Sequence, residues 1–303
     1  MRKLIMLLFC LLLSPSLLAA CQGQRGKLQI LGSGGPELTD RRASTSYLLY
    51  LDGKALILID AGSGSALNFE KSGADLNDLK FVLFSHLHVD HSVDFAAFLK
   101  AFYFSGRATD LRVYGPEGNQ WAPGTRAFVA GLAGPQGIYR YLSEYVDDSA
   151  QSTFKVRATD MALGKKRIMK VYHDDRVSLS AIPVHHGPMP ALAWRVDMAG
   201  CALTFSGDMN NRNQTLYRLA KNSDLLVAHN AIPETMTGPA RQLHMPPSEI
   251  GKIAEQAGVG MLVLSHRMRR TLGQEQHTLA VIRQYFQGPV EFANDMDVFV
   301  PEN

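Results

Sequence analysis

The residues best suited to chemistry lie in one short segment, His86-Leu87-His88-Val89-Asp90-His91. It contains four side chains that can bind a metal ion within six residues. Imidazole and carboxylate ligands suit zinc, and alternation along an extended turn lets His86 and His88 face one ion. Asp90 and His91 would then face a second ion. The segment therefore predicts a metal site with room for two ions.

The elements around this segment are those of an α/β protein. Residues 81–84 form a continuous apolar run, typical of a strand buried on both faces, and they lead directly into Ser85 and His86. Residues 94–104 have the apolar spacing of a helix, and residues 248–257 follow two prolines as a second helix. His266 follows another apolar strand, residues 261–264. Histidines thus recur at the carboxyl ends of strands, where α/β proteins place active groups.

No repeat, low-complexity tract or charge block divides residues 27–303, so we expect one domain over residues 21–303. Residues 105–175 are glycine-rich and less regular. We expect them to form insertions and helices over the site.

Four further motifs, in order along the chain, make the sequence resemble the metallo-β-lactamase superfamily. They are Ile-Asp-Ala-Gly at 59–62, Pro-Val-His-His-Gly-Pro at 183–188, Ser-Gly-Asp at 206–208 and Leu-Ser-His at 264–266. The resemblance implies an α/β fold, a four-layer αβ/βα sandwich. It implies one metal site from His86, His88 and His186, a second from Asp90, His91 and His266, and Asp208 as a ligand that bridges both. Asp60 would orient a histidine ligand.

Two adjacent histidines compete for one ligand position. In relatives of the ribonuclease Z and cyclic phosphodiesterase type, the ligand lies about eight residues before an aromatic-Arg pair, which here is Trp194-Arg195. His186 is nearer to that spacing than His185, and it directly precedes Gly-Pro. The resemblance favours His186, with His185 packed beside it.

The implied chemistry is metal-assisted hydrolysis. Two Zn²⁺ ions, or Mn²⁺ or Fe²⁺ in their place, would lower the pKa of a water and neutralise charge on the substrate. Asp90 is expected to accept a hydrogen bond from that water and act as base. Ligation needs neutral imidazoles and ionised carboxylates, so activity should fail at acidic pH.

Several segments resemble the ribonuclease Z and phosphodiesterase branch of the superfamily. They are Leu-Gly-Ser-Gly-Gly at 31–35, the segment 224–229 that ends in His229, and the region around His244 and Arg270. The branch implies His244 as proton donor to the leaving group, Arg270 near the substrate phosphate, and His229 as a supporting residue behind the ligands. Taken singly, residues 32–35 could be only a tight turn, and His229 only a strand end.

Two features depart from that branch. Asn230 stands where relatives have a glutamate, and no glycine- and proline-rich basic arm for transfer RNA is visible. A small anionic ester, most of all a phosphodiester, is the expected substrate, and transfer RNA is not expected. The alternatives are a lactonase, an arylsulfatase or a β-lactam hydrolase of the same fold, or a non-catalytic metal-binding lipoprotein.

Residues 1–20 resemble a secretory leader, with Arg2 and Lys3 before an apolar stretch. Leu-Ala-Ala-Cys at 18–21 resembles a lipoprotein box, which predicts lipidation of Cys21, export to the periplasm and membrane contact through that anchor alone. Ordinary secretion is the alternative. Removal of the leader lowers the net charge from +3 to near +1, unlike a nucleic-acid binder. With Cys21 acylated, only Cys201 remains, so no intramolecular disulfide is expected. The sequence leaves open whether the protein forms a homodimer.

Overall fold

A computed structural model describes Cys21 and residues 25–301 of the chain; the predicted leader, residues 1–20, lies outside the described residues. Two seven-stranded sheets dominate the architecture. The first contains β1 (Gly26–Gly32), β2 (Ser46–Leu51), β3 (Lys54–Ile59), β4 (Phe81–Leu83), β5 (Leu111–Pro116), β6 (Val156–Met161) and β14 (Val298–Phe299), in the order β14-β1-β2-β3-β4-β5-β6.

The second sheet has the order β13-β12-β11-β10-β9-β8-β7. Its strands are β7 (Met169–His173), β8 (Val177–His186), β9 (Met189–Met198), β10 (Cys201–Phe205), β11 (Leu225–His229), β12 (Met261–Ser265) and β13 (Val290–Phe292). The helices are α1 (Ser65–Lys71), α2 (Val89–Ser92), α3 (Phe95–Phe104), α4 (Thr125–Ala133), α5 (Leu216–Leu219), α6 (Gly238–Leu243), α7 (Pro247–Ala257) and α8 (Glu275–Ile282).

Three apolar clusters hold four layers together. The central cluster lies between the sheets and includes Tyr47, Trp194 and Phe205. A second cluster packs the first sheet against the aromatic face of α3, and a third packs the second sheet against α5 and α7. Each central strand is therefore covered on both faces, which explains the continuous apolar runs in the sequence. The predicted four-layer αβ/βα sandwich is confirmed.

The expectation for residues 105–175 was right about a helix, which is α4, and wrong about insertions. These residues include β5 and β6, which complete one edge of the first sheet, and β7, which begins the second sheet. The sequence Val-Arg-Ala-Thr-Asp-Met of β6 lacks an apolar run because the strand lies at the sheet edge, where several of its side chains are exposed. Edge strands carry polar side chains, so the pattern of a buried strand is missing.

A disulfide joins Cys21 to Cys201, the first residue of β10. The prediction that no intramolecular disulfide forms was therefore wrong. This disulfide is incompatible with the predicted lipid at Cys21, because one sulfur cannot carry both a thioether and a disulfide. The bond connects residues 180 positions apart, a pairing that tertiary structure alone reveals. Among the described residues, no helix is both long and apolar enough to span a bilayer.

Substitution Cys201→Ser should remove this cross-link and lower the free energy of unfolding by about 2–4 kcal/mol, because the open chain gains entropy when unfolded. Thermal unfolding with and without a reductant measures the effect. The wild type should lose stability on reduction, whereas the Cys201→Ser protein should be insensitive to the reductant. A wild-type melting temperature that reductant leaves unchanged would argue against the disulfide.

Candidate metal centre

The candidate site lies where strands from both sheets end. Strands β8 and β10 run in the same direction because each is antiparallel to β9, and β11 and β12 are parallel to β10. Their carboxyl ends therefore meet at one edge of the second sheet, opposite the end of β4 in the first. The predicted ligands all follow or end these strands: His86, His88, Asp90 and His91 after β4, His186 at the end of β8, Asp208 after β10, and His266 after β12.

One group of side chains is made by His86, His88, His186 and Asp208, whose ligand atoms all lie within 4.8 Å of one another. Nδ1 of His88 is 2.9 Å from Nε2 of His86 and 3.4 Å from Nε2 of His186. Imidazole nitrogens that converge in this way form the ligand set of a tetrahedral zinc site.

A second group lies beside it. Nε2 of His91 is 3.5 Å from Oδ2 of Asp90, and Nε2 of His266 is 3.3 Å from the same oxygen. Oδ2 of Asp208 lies 3.7 Å from Nε2 of His91 and 3.4 Å from Nε2 of His266. The structure thus brings together the residues that the resemblance assigned to the second ion.

Asp208 connects the two groups through a single oxygen. Its Oδ2 also lies 3.7 Å from Nε2 of His186 and 4.0 Å from Nε2 of His86. One carboxylate oxygen therefore faces imidazoles of both groups. This is the geometry expected of a ligand shared by two ions.

Two buried imidazole nitrogens of the centre lack hydrogen-bond partners in the described part of the chain, which suits a bound metal ion better than a site held together by hydrogen bonds alone. Nε2 of His91 and Nε2 of His266 are buried and have no hydrogen-bond partner among the described residues. An unpaired buried polar atom costs roughly 1–3 kcal/mol, which a bound cation would offset. The residues present therefore fit two divalent ions.

Asp60 and Ser85 hold one of the ligands in place. Oδ2 of Asp60 accepts a hydrogen bond from Nδ1 of His91 at 2.8 Å, which leaves Nε2 free to bind a metal. The backbone N–H and the hydroxyl of Ser85 both donate to the same carboxylate, each at 2.7 Å. Asp60 has a left-handed φ of 56°, and His266 has one of 51°. Strained backbone of this kind clusters at functional sites.

His229 supports Asp208 rather than taking a ligand position. Its Nδ1 donates to Oδ1 of Asp208 at 2.7 Å, and its Nε2 accepts from the hydroxyl of Tyr47 at 2.9 Å. Both nitrogens are therefore partnered, although the ring lies close to His91 and His266. Sequence reasoning missed Tyr47 and Ser85. Tyr47 gives no sequence signal because it lies in an apolar strand, whereas the position of Ser85 directly before His86 could have identified it.

The two adjacent histidines point to different places. His186 is buried, and its Nδ1 is 3.1 Å from the carbonyl oxygen of Leu243. His185, next to it in β8, points away from the cluster, as alternation along a strand requires. The structure therefore brings His186, and not His185, to the other ligands.

The first glycine-rich turn is part of the site. A Cβ atom added to Gly35 would lie 2.9 Å from Cε1 of His266, and one added to Gly62 would lie 2.2 Å from the carbonyl oxygen of Asp90. Both positions therefore need glycine because the backbone approaches the ligands closely.

Burial and charge set the protonation states. Burial lowers the pKa of His86, His88 and His186, which keeps these imidazoles neutral and ready to bind a cation. Burial alone would lower the pKa of His91 too, but the carboxylates of Asp90 and Asp60 raise it to about 9.

Both carboxylates of the centre are ionised. Burial would raise the pKa of Asp90, yet His91 and His266 outweigh it and lower that pKa. The pKa of Asp208 is held well below its usual range by His266, His244 and His229, against the opposing effect of burial.

His244 and Arg270 also reach the centre. Nδ1 of His244 lies 3.8 Å from Oδ1 of Asp208, and burial lowers the pKa of His244 to about 4. The half-buried Arg270 donates from Nε to the carbonyl oxygen of Ala231 at 2.6 Å, and its charge lowers the pKa of His244 further. Asn230 is buried, and its amide is directed to the carbonyl of Ile232.

Comparison with known proteins agrees with this geometry. Residues 56–267 match the model of the β-lactamase superfamily domain. The chain belongs to this superfamily. It is 29% identical over 285 residues to ribonuclease Z of Mycobacterium sp. (strain KMS), which covers 89% of this chain and 94% of the relative.

Two solved structures share the fold. The short form of human tRNase Z superposes with a TM-score of 0.69 at 18% identity, covering 91% of this chain and 100% of that one. Zinc-bound PqqB from Methylobacterium extorquens superposes with a TM-score of 0.65 at 14% identity, covering 90% and 99%. The match to the superfamily model, the similarity to ribonuclease Z and the His/Asp cluster together make the chain a metal-dependent hydrolase.

Metal binding should release protons at neutral pH. With a pKa of about 9 in the metal-free protein, His91 is protonated there and must lose its proton to bind an ion. Affinity for Zn²⁺ should therefore rise from about pH 6 to about pH 9 and weaken below that range. Calorimetry in two buffers of different ionisation enthalpy counts the protons released, with His91→Ala as the comparison. Affinity that is independent of pH would contradict this protonation state.

Proposed function

We propose that this chain is an exported dinuclear zinc hydrolase that cleaves phosphodiesters with activated water. The observation that carries the proposal is the single oxygen of Asp208 that faces imidazoles of both ligand groups. The similarity to ribonuclease Z of Mycobacterium supports the choice of phosphodiesters. The histidine-rich ligand sets and the zinc-bound neighbour PqqB support zinc, and Mn²⁺ or Fe²⁺ would suit the same atoms.

When bound, two ions supply a water of lowered pKa and positive charge opposite the substrate. The chain holds the groups that move protons around that substrate. Asp90 is ionised and directed into the centre, so it can accept a proton from the attacking water. Arg270 adds positive charge where the phosphate oxygens gain negative charge.

His244 is proposed as the donor to the leaving oxygen. It lies at the carboxyl end of α6, and its Nδ1 faces Oδ1 of Asp208, the oxygen that also accepts from His229. In the free protein its pKa of about 4 makes it neutral. A bound phosphodiester would place a negative charge beside the ring, which raises the pKa and favours the protonated form.

The other functions fit the site less well. Zinc-activated water can also attack a lactone, a β-lactam or a sulfate ester. Arg270 and the metal cluster, however, match a substrate that carries negative charge at the reacting centre, which a lactone or β-lactam carbonyl lacks. A sulfate ester does carry such a charge, and the similarity to ribonuclease Z favours the phosphodiester over it. A purely structural metal site would not need Asp90, which is buried and ionised beside His266.

Export is proposed on the leader sequence and the disulfide together. A bond between Cys21 and Cys201 persists in an oxidising compartment such as the periplasm. The bond also requires that the sulfur of Cys21 carries no lipid, which favours ordinary secretion. Transfer RNA, which is found in the cytosol, is not the proposed substrate.

The purified protein should bind about two divalent ions per chain, as the two ligand groups require. Asp208→Ala should lose more than one ion's binding, because this carboxylate serves both sites. Elemental analysis of dialysed protein measures the ratio. His277→Ala, which changes an exposed histidine of α8, is the matched control and should keep the wild-type content. A wild-type content near zero would contradict the proposal.

His244→Ala should slow the hydrolysis of phosphodiesters with alkyl leaving groups roughly 10²-fold, because a departing alkoxide needs a proton. Nitrophenyl esters should be affected much less, since nitrophenolate leaves without one. Steady-state kinetics on both substrate types, with metal content measured in parallel, tests this.

Equal losses for the two leaving groups would remove His244 from the role of proton donor. If lactones or sulfate esters were hydrolysed faster than every phosphodiester, the proposed substrate class would be wrong.

A further inference from the structure

A cavity of about 610 Å³ opens next to the metal centre. Three segments form it: the turn between β8 and β9, the loop after β10, and helix α6. We call it the arginine pocket, and its polar lining consists of His185, Asn210, Arg212, Arg241 and Gln242. Its volume is in the range of small-molecule binding sites.

Each of the three segments also carries a residue of the metal centre. His185 precedes His186 in β8, the loop with Asn210 begins just after Asp208, and Leu243 precedes His244. The carbonyl oxygen of Leu243, a residue that lines the pocket, is 3.1 Å from Nδ1 of His186. The arginine pocket therefore begins one residue away from the reacting centre.

The charge of the arginine pocket is positive. Arg212 and Arg241 line it, and no acidic residue does so within residues 25–301. In that same part of the chain, neither guanidinium forms an ion pair. Some other arginines, such as Arg25 and Arg157, do pair with aspartates. Two uncompensated arginines in one cavity point to an anionic ligand.

Hydrogen bonds connect the walls of the arginine pocket, and one buried nitrogen atom in them lacks a hydrogen-bond partner among the described residues. The Asn210 amide donates to the carbonyl of Gln242, and its backbone N–H donates to the carbonyl of His185 at 3.1 Å. Nδ1 of His185 is buried without a hydrogen-bond partner in the described part of the chain.

An exposed aromatic ring lies in a loop tied to the rim. The side chain of Asn119 donates to the carbonyl of Pro188 at 2.8 Å, and its Oδ1 accepts from the backbone N–H of Trp121 at 2.8 Å. Trp121 is 68% exposed. Exposed aromatic rings provide stacking surfaces for nucleobases.

We propose that the arginine pocket binds a second phosphate, carried by the leaving group of a nucleotide phosphodiester. This inference rests on the proposed function and specifies its substrate class. The pocket adjoins His244, the proposed donor to the leaving oxygen, so it receives the leaving group. Arg212 and Arg241 bind the phosphate, and Trp121 stacks on a base. Short oligonucleotides with a 5′-terminal phosphate are therefore preferred over substrates without one.

The reaction of the simplest such substrate balances without another reactant. In 5′-phosphorylated dithymidine, the oxygen of water bonds to the internal phosphorus and the bond from phosphorus to O3′ breaks. O3′ takes a proton and leaves. The products are two molecules of thymidine 5′-monophosphate. Dithymidine without the 5′-phosphate gives thymidine and one thymidine 5′-monophosphate, and it tests the same bond without the second phosphate.

The experiment compares kcat/KM for these two dinucleotides on the metal-loaded full-length protein. The 5′-phosphorylated substrate should be preferred by about tenfold or more, the size of one good charged contact. Arg212→Gln and Arg241→Gln should each abolish most of that preference, by lowering kcat/KM for the phosphorylated dinucleotide far more than for the unphosphorylated one. Arg126→Gln, at an exposed arginine of α4, is the matched control and should keep the preference.

A second readout does not depend on turnover. Calorimetric binding of thymidine 5′-monophosphate should weaken about tenfold in each pocket variant, and not in Arg126→Gln. Trp121→Ala should raise KM for both dinucleotides alike, because the base is common to both. If Trp121→Ala leaves KM unchanged for both dinucleotides, the nucleotide part of the proposal is wrong.

The failures are distinguishable. If both dinucleotides are cleaved with equal kcat/KM, the arginine pocket does not bind the second phosphate, while the proposed function stands. If neither dinucleotide nor any nitrophenyl phosphodiester is cleaved, the proposed function is wrong, and the pocket proposal falls with it.

Discussion

The structure depends on one electrostatic constraint, the burial of several imidazoles around the carboxylate of Asp208. A buried carboxylate is costly unless opposite charge or hydrogen-bond donors surround it. Here His229 supplies a donor on one side, and Oδ2 faces four ligand histidines on the other. Those histidines in turn need a cation, because two of them have buried nitrogens without partners among the described residues. Metal binding and the local fold are therefore coupled.

The rest of the sandwich holds these groups at fixed positions. Ligands come from loops at strand ends, and loops alone would not keep atoms within a few tenths of an ångström. The strands behind them are buried on both faces, and Asp60 is fixed by two donors from Ser85. Close backbone approaches at Gly35 and Gly62 add to the rigidity. Such preorganisation lets a site act on charge that develops during the reaction, without reorganising first.

The disulfide and the site illustrate two kinds of long-range contact. The ligand motifs are far apart in sequence, yet each has a local signature of residue type and spacing. Cys21 and Cys201 have none, and the local pattern around Cys21 pointed to a lipid instead. A pairing over 180 positions becomes visible only when β10 and the chain's first described residue lie side by side. Local motifs therefore predicted the metal centre better than they predicted the covalent cross-link.

The sequence by itself determined the residue types of the metal centre and the class of fold. It did so because ligand chemistry and strand burial both leave local patterns, as His86 to His91 and residues 81–84 show. Tertiary structure alone decided that Tyr47 supports His229, that Arg212 and Arg241 meet in one cavity, and that β6 completes a sheet edge. The physical reason is that these features arise from contacts between segments distant in sequence. No short pattern of residues records such contacts.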